Sequence, residues 1–363
     1  MMKALAAVLY EQGGKFVFDE VDLADPKENE VLVKIIAVGV CHTDEGGRQW
    51  MIEPPVVLGH EGSGIVEKVG SGVKDFKPGD HVVITVASCG SCEFCLKGMP
   101  FACPHMGELN IGGKMLDGSS RISKNGKEIK NFFGQSSFAQ YSVVNAHSLV
   151  KVDKSVDLAL LGPLGCGFQT GAGTVLGCLN AKASDSIVIF GCGSLGLSGV
   201  MGAKIAKCKN IIAVGGTPDK LKLAMELGAT HTINRKEIKD VAAEIIKITN
   251  GGANLAFETT GAPAIFDIAL ASLATLGKLA LCGVGNKFTF DPMNLIIGSK
   301  TIVGSNEGNL SYHKFIPQMI EYYKKGEFPF DKLITFYDFK EIEKSFEDSH
   351  KGIVVKPVLR ISH

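Results

Sequence analysis

The chain has 363 residues, with 38 basic and 38 acidic side chains and 45% hydrophobic content. Zero net charge argues against nucleic acid or an anionic membrane as partner, and 21% charged residues in so apolar a chain argues against disorder. No apolar run reaches the ~18 residues of a membrane span, and the start Met1-Met2-Lys3-Ala4 lacks signal-peptide architecture, so a soluble cytoplasmic protein is expected. At about 150 residues per domain the length predicts two domains. Glycine occurs 44 times, which suggests tight turns and close backbone approaches. The 10 cysteines of a cytosolic chain are expected as metal ligands or core residues rather than disulfides.

In chain order, residues 31–36, 64–69 and 81–86 read as short strands, with Lys77-Pro78-Gly79-Asp80 as a turn between the last two. The first ~160 residues therefore predict a mainly β unit of barrel type. The polar segment 117–130 is expected as a surface loop. From about Asp157 the rhythm changes to strand 187–190, a helix ending near Lys209, strand 211–214, helix 219–227 closing on Gly228, and strands at 255–258 and 279–282. Strands alternating with helices imply a doubly wound parallel sheet. A helix at 313–324 and a strand at 353–359 are expected to complete the first domain. The α/β domain, residues 168–305, would thus be inserted between 1–167 and 306–363.

Cys89, Cys92, Cys95 and Cys103 follow C-x2-C-x2-C-x7-C, the spacing of a closed, structural four-thiolate zinc site. Four unrelated reduced cysteines, an iron–sulfur cluster, or His105 in place of Cys103 are the alternatives. A zinc ribbon for nucleic acid would need a basic surface, and the segment holds only Lys97 nearby. A second set comes from Cys41-His42-Thr43-Asp44, Gly59-His60-Glu61 and Cys166 at the expected domain junction. Two thiolates and one imidazole leave a fourth position open, the arrangement of a catalytic zinc acting as Lewis acid. Asp44 would fix the tautomer of His60, and Glu61 would be a nearby charge or transient ligand. Singly, each of these residues reads as structural; it is their joint occurrence with a cofactor motif that points to a metal.

That motif is Ile187-Val188-Ile189-Phe190-Gly191-Cys192-Gly193-Ser194-Leu195-Gly196, a strand running through G-x-G-x-x-G into a helix. Its glycines permit the tight turn, the approach of pyrophosphate to the helix N-terminus, and helix–sheet packing. An NAD enzyme carries a carboxylate for the ribose hydroxyls after the second strand, but here Val214 is followed by Gly215-Gly216-Thr217-Pro218-Asp219-Lys220. Glycine at that position, with Thr217 and Lys220 close by, predicts NADP. The alternative is NAD, with Asp219 displaced onto the ribose by a longer loop.

These motifs together resemble the zinc-dependent alcohol dehydrogenases of the medium-chain dehydrogenase/reductase superfamily over essentially the whole chain. The stretches 161–171, 328–330 and 356–359 are most similar to the aryl-alcohol (benzyl-alcohol) and geraniol dehydrogenase branch. The resemblance implies a GroES-like catalytic domain with a Rossmann domain, and two zinc ions per chain. Cys41, His60 and Cys166 would hold the catalytic one. It implies that Thr43 accepts the substrate's hydroxyl proton, that His42 and Lys356 contact cofactor phosphates, and that Thr170 and Val284 position the nicotinamide. Many relatives carry a proton-relay histidine five positions after the first cysteine ligand; here that position is Gly46. Trp50, Ile52 and Thr85 would face the substrate cleft. Thr85 stands where some relatives place an aromatic ring, so a phenyl or prenyl group would fit; Trp50 as a core residue is the plainer alternative.

The expected activity is therefore interconversion of primary aromatic or allylic alcohols and aldehydes, with a small molecule as partner. A polyol dehydrogenase, a zinc-free enone reductase and a non-enzymatic relative are the competing readings. The family forms dimers and tetramers, and the 117–130 insert resembles the longer, dimeric members.

Overall fold

The computed structural model describes every residue except Val284 and Asn286. The chain forms two compact units, Met1–Cys166 with Ser311–Ile320 and Asp331–His363, and Gly167–Leu310 with Glu321–Phe330. Residues 167, 306–310 and 321–330, expected in the first domain, cluster with the second. Aromatic packing gives the reason for the last stretch: the Phe330 ring lies 5.6 Å from Phe168 and 4.6 Å from Tyr323.

The first unit is built around the strand Glu30–Gly39, EVLVKIIAVG, which is buried along almost its whole length. It pairs antiparallel with Gly62–Val69, Tyr141–Asn145 and Lys356–Arg360. A run so rich in β-branched residues suits a strand covered on both faces. The last strand starts three residues later than expected, because Gly352 takes φ +70° in the turn after the helix Ile342–His350.

A second sheet runs Val56–Val57, Met2–Leu9, Phe16–Leu23, Ile122–Lys124, Lys127–Ile129. Its last two strands correct the expected surface loop at 117–130. Asn125 and Gly126 both take positive φ between them, the two-residue hairpin signal that the sequence carried in plain view. Ile122 and Ile129 face each other across the hairpin and are buried in the core.

The second unit holds six parallel strands. In spatial order they are His231–Asn234, Asn210–Gly215, Ser186–Phe190, Ala253–Glu258, Leu273–Leu281 and Thr301–Gly304. In chain order within this sheet that is 3-2-1-4-5-6, the dinucleotide-binding arrangement, with its switch point beside Ser186–Phe190. The helix Pro218–Leu227 stops where Gly228 takes φ +124°. The helix expected at 313–324 is Tyr312–Lys324.

The hairpin is anchored by the residue just before it. Arg121, 3% exposed, forks onto Glu30 through Nε–Oε2 at 2.8 Å and Nη2–Oε1 at 2.5 Å. Arg121→Met keeps the stem and strands the Glu30 carboxylate without its partner. We expect a loss of about 3–5 kcal/mol, read as a lower urea midpoint of unfolding; an unchanged midpoint would contradict the pairing.

Candidate functional site

Cys41 follows the Glu30–Gly39 strand and stands at the N-cap of the short helix His42–Gly46. Asp44, in that helix and fully buried, accepts three hydrogen bonds: Cys41 N–H at 2.9 Å, Gly59 N–H at 3.1 Å and His60 Nδ1 at 2.8 Å. One carboxylate thus ties the Cys41 turn to the His60 segment and commits the imidazole proton to Nδ1. His60 is itself fully buried, its ring centroid 4.6 Å from that of Phe133 and 5.7 Å from that of Phe132. Its Nε2 is buried without a hydrogen-bond partner.

That nitrogen faces a group made by Cys41, Glu61 and Cys166, one ligand atom from each lying within 4.8 Å of all the others. Cys166 enters directly after the 3-10 turn Gly162–Gly165. Glu61 is fully buried, and the Lys356 ammonium donates to both of its carboxylate oxygens at 3.0 Å and to Val40 O at 3.2 Å. Gly39 makes room for this pair: a Cβ there would stand 2.0 Å from Glu61 Oε2. Hydrogen bonding with Cys166 and the Lys356 cation hold the Cys41 thiol well below its ordinary value against the cost of burial. An orphaned imidazole nitrogen beside two thiols, with Cys41 inclined to ionise, is a donor set that fits a zinc ion.

The second group also converges, with Cys89, Cys92, Cys95 and Cys103 offering sulfurs all within 4.8 Å of one another. Backbone N–H groups point at them: Cys92 N to Cys89 Sγ at 3.3 Å, Cys89 N to Cys103 Sγ at 3.4 Å, and Cys95 N to Cys92 Sγ at 3.5 Å. Although burial opposes it, the amides of Ser91 and Cys92 bring the Cys89 thiol down to about 6. Four sulfurs complete a tetrahedral shell and fit a structural zinc. His105 is exposed and stands outside the group.

In the second unit, Gly191 ends the first strand at φ +103°, where a Cβ would lie 2.3 Å from Thr259 Oγ1. Ser194, Leu195 and Gly196 open the helix Ser194–Ile205, and a Cβ at Gly193 would meet nothing within 4 Å. A cavity of about 240 Å³ lies there, lined among others by Gly191, Gly193, Gly215, Thr217, Lys220 and Arg235. Open glycine backbone at a helix N-terminus fits a pyrophosphate. Asp219 is exposed and does not line the cavity, so the displaced carboxylate of the NAD alternative is not aimed at it. Burial pulls the Lys220 ammonium below its ordinary value. Arg235 escaped the sequence reading because the short strand before it, His231–Asn234, did so too.

The remaining expected residues scatter. Thr43 Oγ1 lies 3.8 Å from Cys41 Sγ. His42 is exposed beside His350, with ring centroids 6.0 Å apart. Thr170 is buried, its hydroxyl 3.4 Å from Glu307 Oε2, a carboxylate that also accepts from Gln169 Nε2 at 2.6 Å. Val284 lies outside the described residues. Three of the expected residues are enclosed. Lys356 is 1% exposed, and its ammonium is bound to Glu61. Ile52 is a core residue, packed there by its apolar surface. Thr85 is fully enclosed, its hydroxyl donating to Gly165 O at 2.8 Å. Trp50, by contrast, is 67% exposed, which removes the core alternative for it.

Residues 27–154 match the family model "Alcohol dehydrogenase GroES-like domain", and residues 194–325 match "Zinc-binding dehydrogenase". Geraniol dehydrogenase of Castellaniella defragrans is 40% identical over 364 residues, covering 99% of this chain and 98% of that protein. Benzyl alcohol dehydrogenase of Acinetobacter calcoaceticus superposes with a TM-score of 0.96 at 41% identity, covering 100% of both chains. An alcohol dehydrogenase zinc-binding domain protein of Burkholderia ambifaria does so with a TM-score of 0.97 at 42% identity, again over 100% of both. With GroES-like and Rossmann units in one chain and relatives matched end to end, the protein belongs to the zinc-dependent alcohol dehydrogenases of the medium-chain dehydrogenase/reductase superfamily.

Proposed function

We propose that this enzyme interconverts primary aromatic or allylic alcohols and their aldehydes by hydride transfer with NADP(H). The observation that carries the reading is His60, whose Nδ1 is committed to Asp44 while Nε2 is left bare beside two thiols. The substrate class is supported by relatives named for geraniol, a primary allylic alcohol, and for benzyl alcohol. It is supported as well by Trp50, an exposed apolar ring on the Gly47–Met51 turn that follows the Cys41 segment. NADP is supported by the missing carboxylate at Gly215 and by Lys220 and Thr217 on the cavity wall.

A zinc ion held by Cys41, His60 and Cys166 supplies a Lewis acid for the alcohol or carbonyl oxygen, and the nicotinamide supplies the hydride carrier. Asp44 keeps the imidazole proton on Nδ1, so that Nε2 presents a lone pair. Thr43 Oγ1 accepts the substrate's hydroxyl proton in oxidation while its own hydroxyl proton passes on to water or the cofactor ribose, and both transfers reverse in reduction. Gly46 carries no relay: its side-chain space is filled by Met51 Sδ, 2.8 Å from where a Cβ would be. The Lys356 cation, held by Glu61, favours the ionised form of Cys41. His42 and Thr170 keep the pyrophosphate and nicotinamide roles that the resemblance gives them. Cys89, Cys92, Cys95 and Cys103 hold a second zinc with no vacant position and no part in turnover.

We further infer a homodimer working in the cytoplasm. The dimer is supported by three apolar side chains that stand 65–79% exposed near the outermost strand Thr301–Gly304: Leu276 in the neighbouring strand Leu273–Leu281, and Ile296 and Ile297 at the end of the short helix Met293–Ile296. The cytoplasm is supported by 10 cysteines that are all unpaired in disulfide terms.

Metal analysis tests the two sites directly. Purified protein should carry two zinc ions per chain. Cys41→Ser should carry one and lose turnover with its thermal midpoint nearly unchanged, whereas Cys92→Ser should lose stability before activity. Asp44→Ala leaves three buried donors without an acceptor and should cost roughly 3 kcal/mol or more in urea unfolding; a loss below about 1 kcal/mol would remove Asp44 as the organiser of the site. With benzyl alcohol or geraniol, kcat/KM should be higher with NADP than with NAD, and the reverse order would overturn the cofactor reading.

A further inference from the structure

We infer that Arg235 sets the choice between NADP(H) and NAD(H), by gripping the adenosine 2′-phosphate together with Lys220 and Thr217. The inference rests on the NADP reading above and names the residue that enforces it.

The backbone places Arg235 where a ribose is read. It follows the strand His231–Asn234, whose register sets Gly215 opposite Asn234. Its own N–H then donates to Gly215 O at 2.8 Å. The end of the Asn210–Gly215 strand is where this fold presents a ribose-binding group, so Arg235 is fixed beside that point by a main-chain bond rather than by a flexible loop. Its side chain passes beside Gly216: a Cβ there would lie 3.5 Å from Arg235 Nε and 3.1 Å from Lys236 Cε.

Charge and space point the same way. Arg235 and Lys220 are the charged residues lining the 240 Å³ cavity, and among the described residues no carboxylate lines it. Neither cation has an ion-pair partner among the described residues, although the chain elsewhere pairs its lysines and arginines freely. The place a ribose-binding carboxylate would need is also crowded. A Cβ at Gly215 would stand 2.9 Å from Cys192 Sγ and 3.1 Å from Leu221 Cδ2. A phosphate near pH 7 carries close to two negative charges and three acceptor oxygens, which a guanidinium meets with two parallel N–H bonds. A free 2′-hydroxyl brings no charge, so the same cations contribute little to NAD(H).

The test is direct binding of NADPH and NADH, followed by protein fluorescence quenching, with competition by 2′,5′-ADP and 5′-AMP. It compares the wild type, Arg235→Gln and Arg235→Lys. The wild type should bind NADPH more tightly than NADH. Arg235→Gln should raise the NADPH Kd about 10- to 100-fold, weaken 2′,5′-ADP in parallel, and leave NADH and 5′-AMP within about twofold. Arg235→Lys, a point charge without the fork, should fall between. A wild type that binds NADH at least as tightly would overturn the NADP reading and this inference with it. A wild type that prefers NADPH, with Arg235→Gln keeping that preference or weakening both cofactors equally, would overturn the role of Arg235 alone.

Discussion

The fully buried Asp44 carboxylate is the constraint on which the placing of Cys41 against His60 depends. It accepts from the amide of Cys41, from the amide of Gly59 and from the ring of His60. A charge so deeply enclosed persists only where hydrogen bonds replace its water. Because those bonds come from two segments separated along the chain, satisfying Asp44 also sets the position of Cys41 against His60. The same bond selects the Nδ1–H tautomer and turns Nε2 towards the sulfurs. Binding-site geometry and the solvation of one buried charge are therefore a single problem with a single solution.

The Cys89 and Cys41 thiols are drawn below their ordinary values by different physics. At Cys89, Cys92 and Cys103 the sulfurs accept backbone N–H bonds from within the same tight loop, so the segment builds its own anion-stabilising nest. At Cys41 the help comes from afar, through Cys166 and the Lys356 cation. Lys356 is itself held in its charged form because Glu61 and Cys41 outweigh the cost of its burial. A self-contained loop suits a metal that only staples structure. A site assembled from distant parts leaves geometry that the fold can tune, which chemistry requires.

The cofactor end follows the logic of parallel sheets, which gather loops at the carboxyl ends of their strands. Gly191, Gly215 and Arg235 each stand at the carboxyl end of a different strand, yet line one cavity. The interior beneath is an apolar sheet of Val188, Phe190, Ile212 and Val214, which keeps the strand ends rigid while the residues beyond them remain free to differ in charge. Buried Glu258 serves the same end from the next strand, accepting the Thr260 and Gly261 amides at 2.6 and 3.0 Å and so ordering the loop there. Electrostatic character at this end is thus a property of loop residues carried on a neutral framework.

What the sequence alone determined was whatever is written in short-range spacing. The four cysteines between 89 and 103, and the strand–glycine–helix run from Ile187 to Gly196, bring their groups together within a few turns of chain and read correctly without a fold. The hairpin at Asn125-Gly126 was equally local and went unread only because its flanks are polar. What only the tertiary structure decided was everything resting on distant contacts. Lys356 meets Glu61 across 295 positions and is buried there. Ile52 turns into the core and Thr85 is enclosed, though both sit on segments leading to the site. Arg235 reaches the cavity because parallel pairing sets the end of His231–Asn234 beside Gly215. Spacing specifies what a few residues can close on by themselves; burial and pairing between remote strands specify which charges are spent inside the protein and which stay available to a ligand.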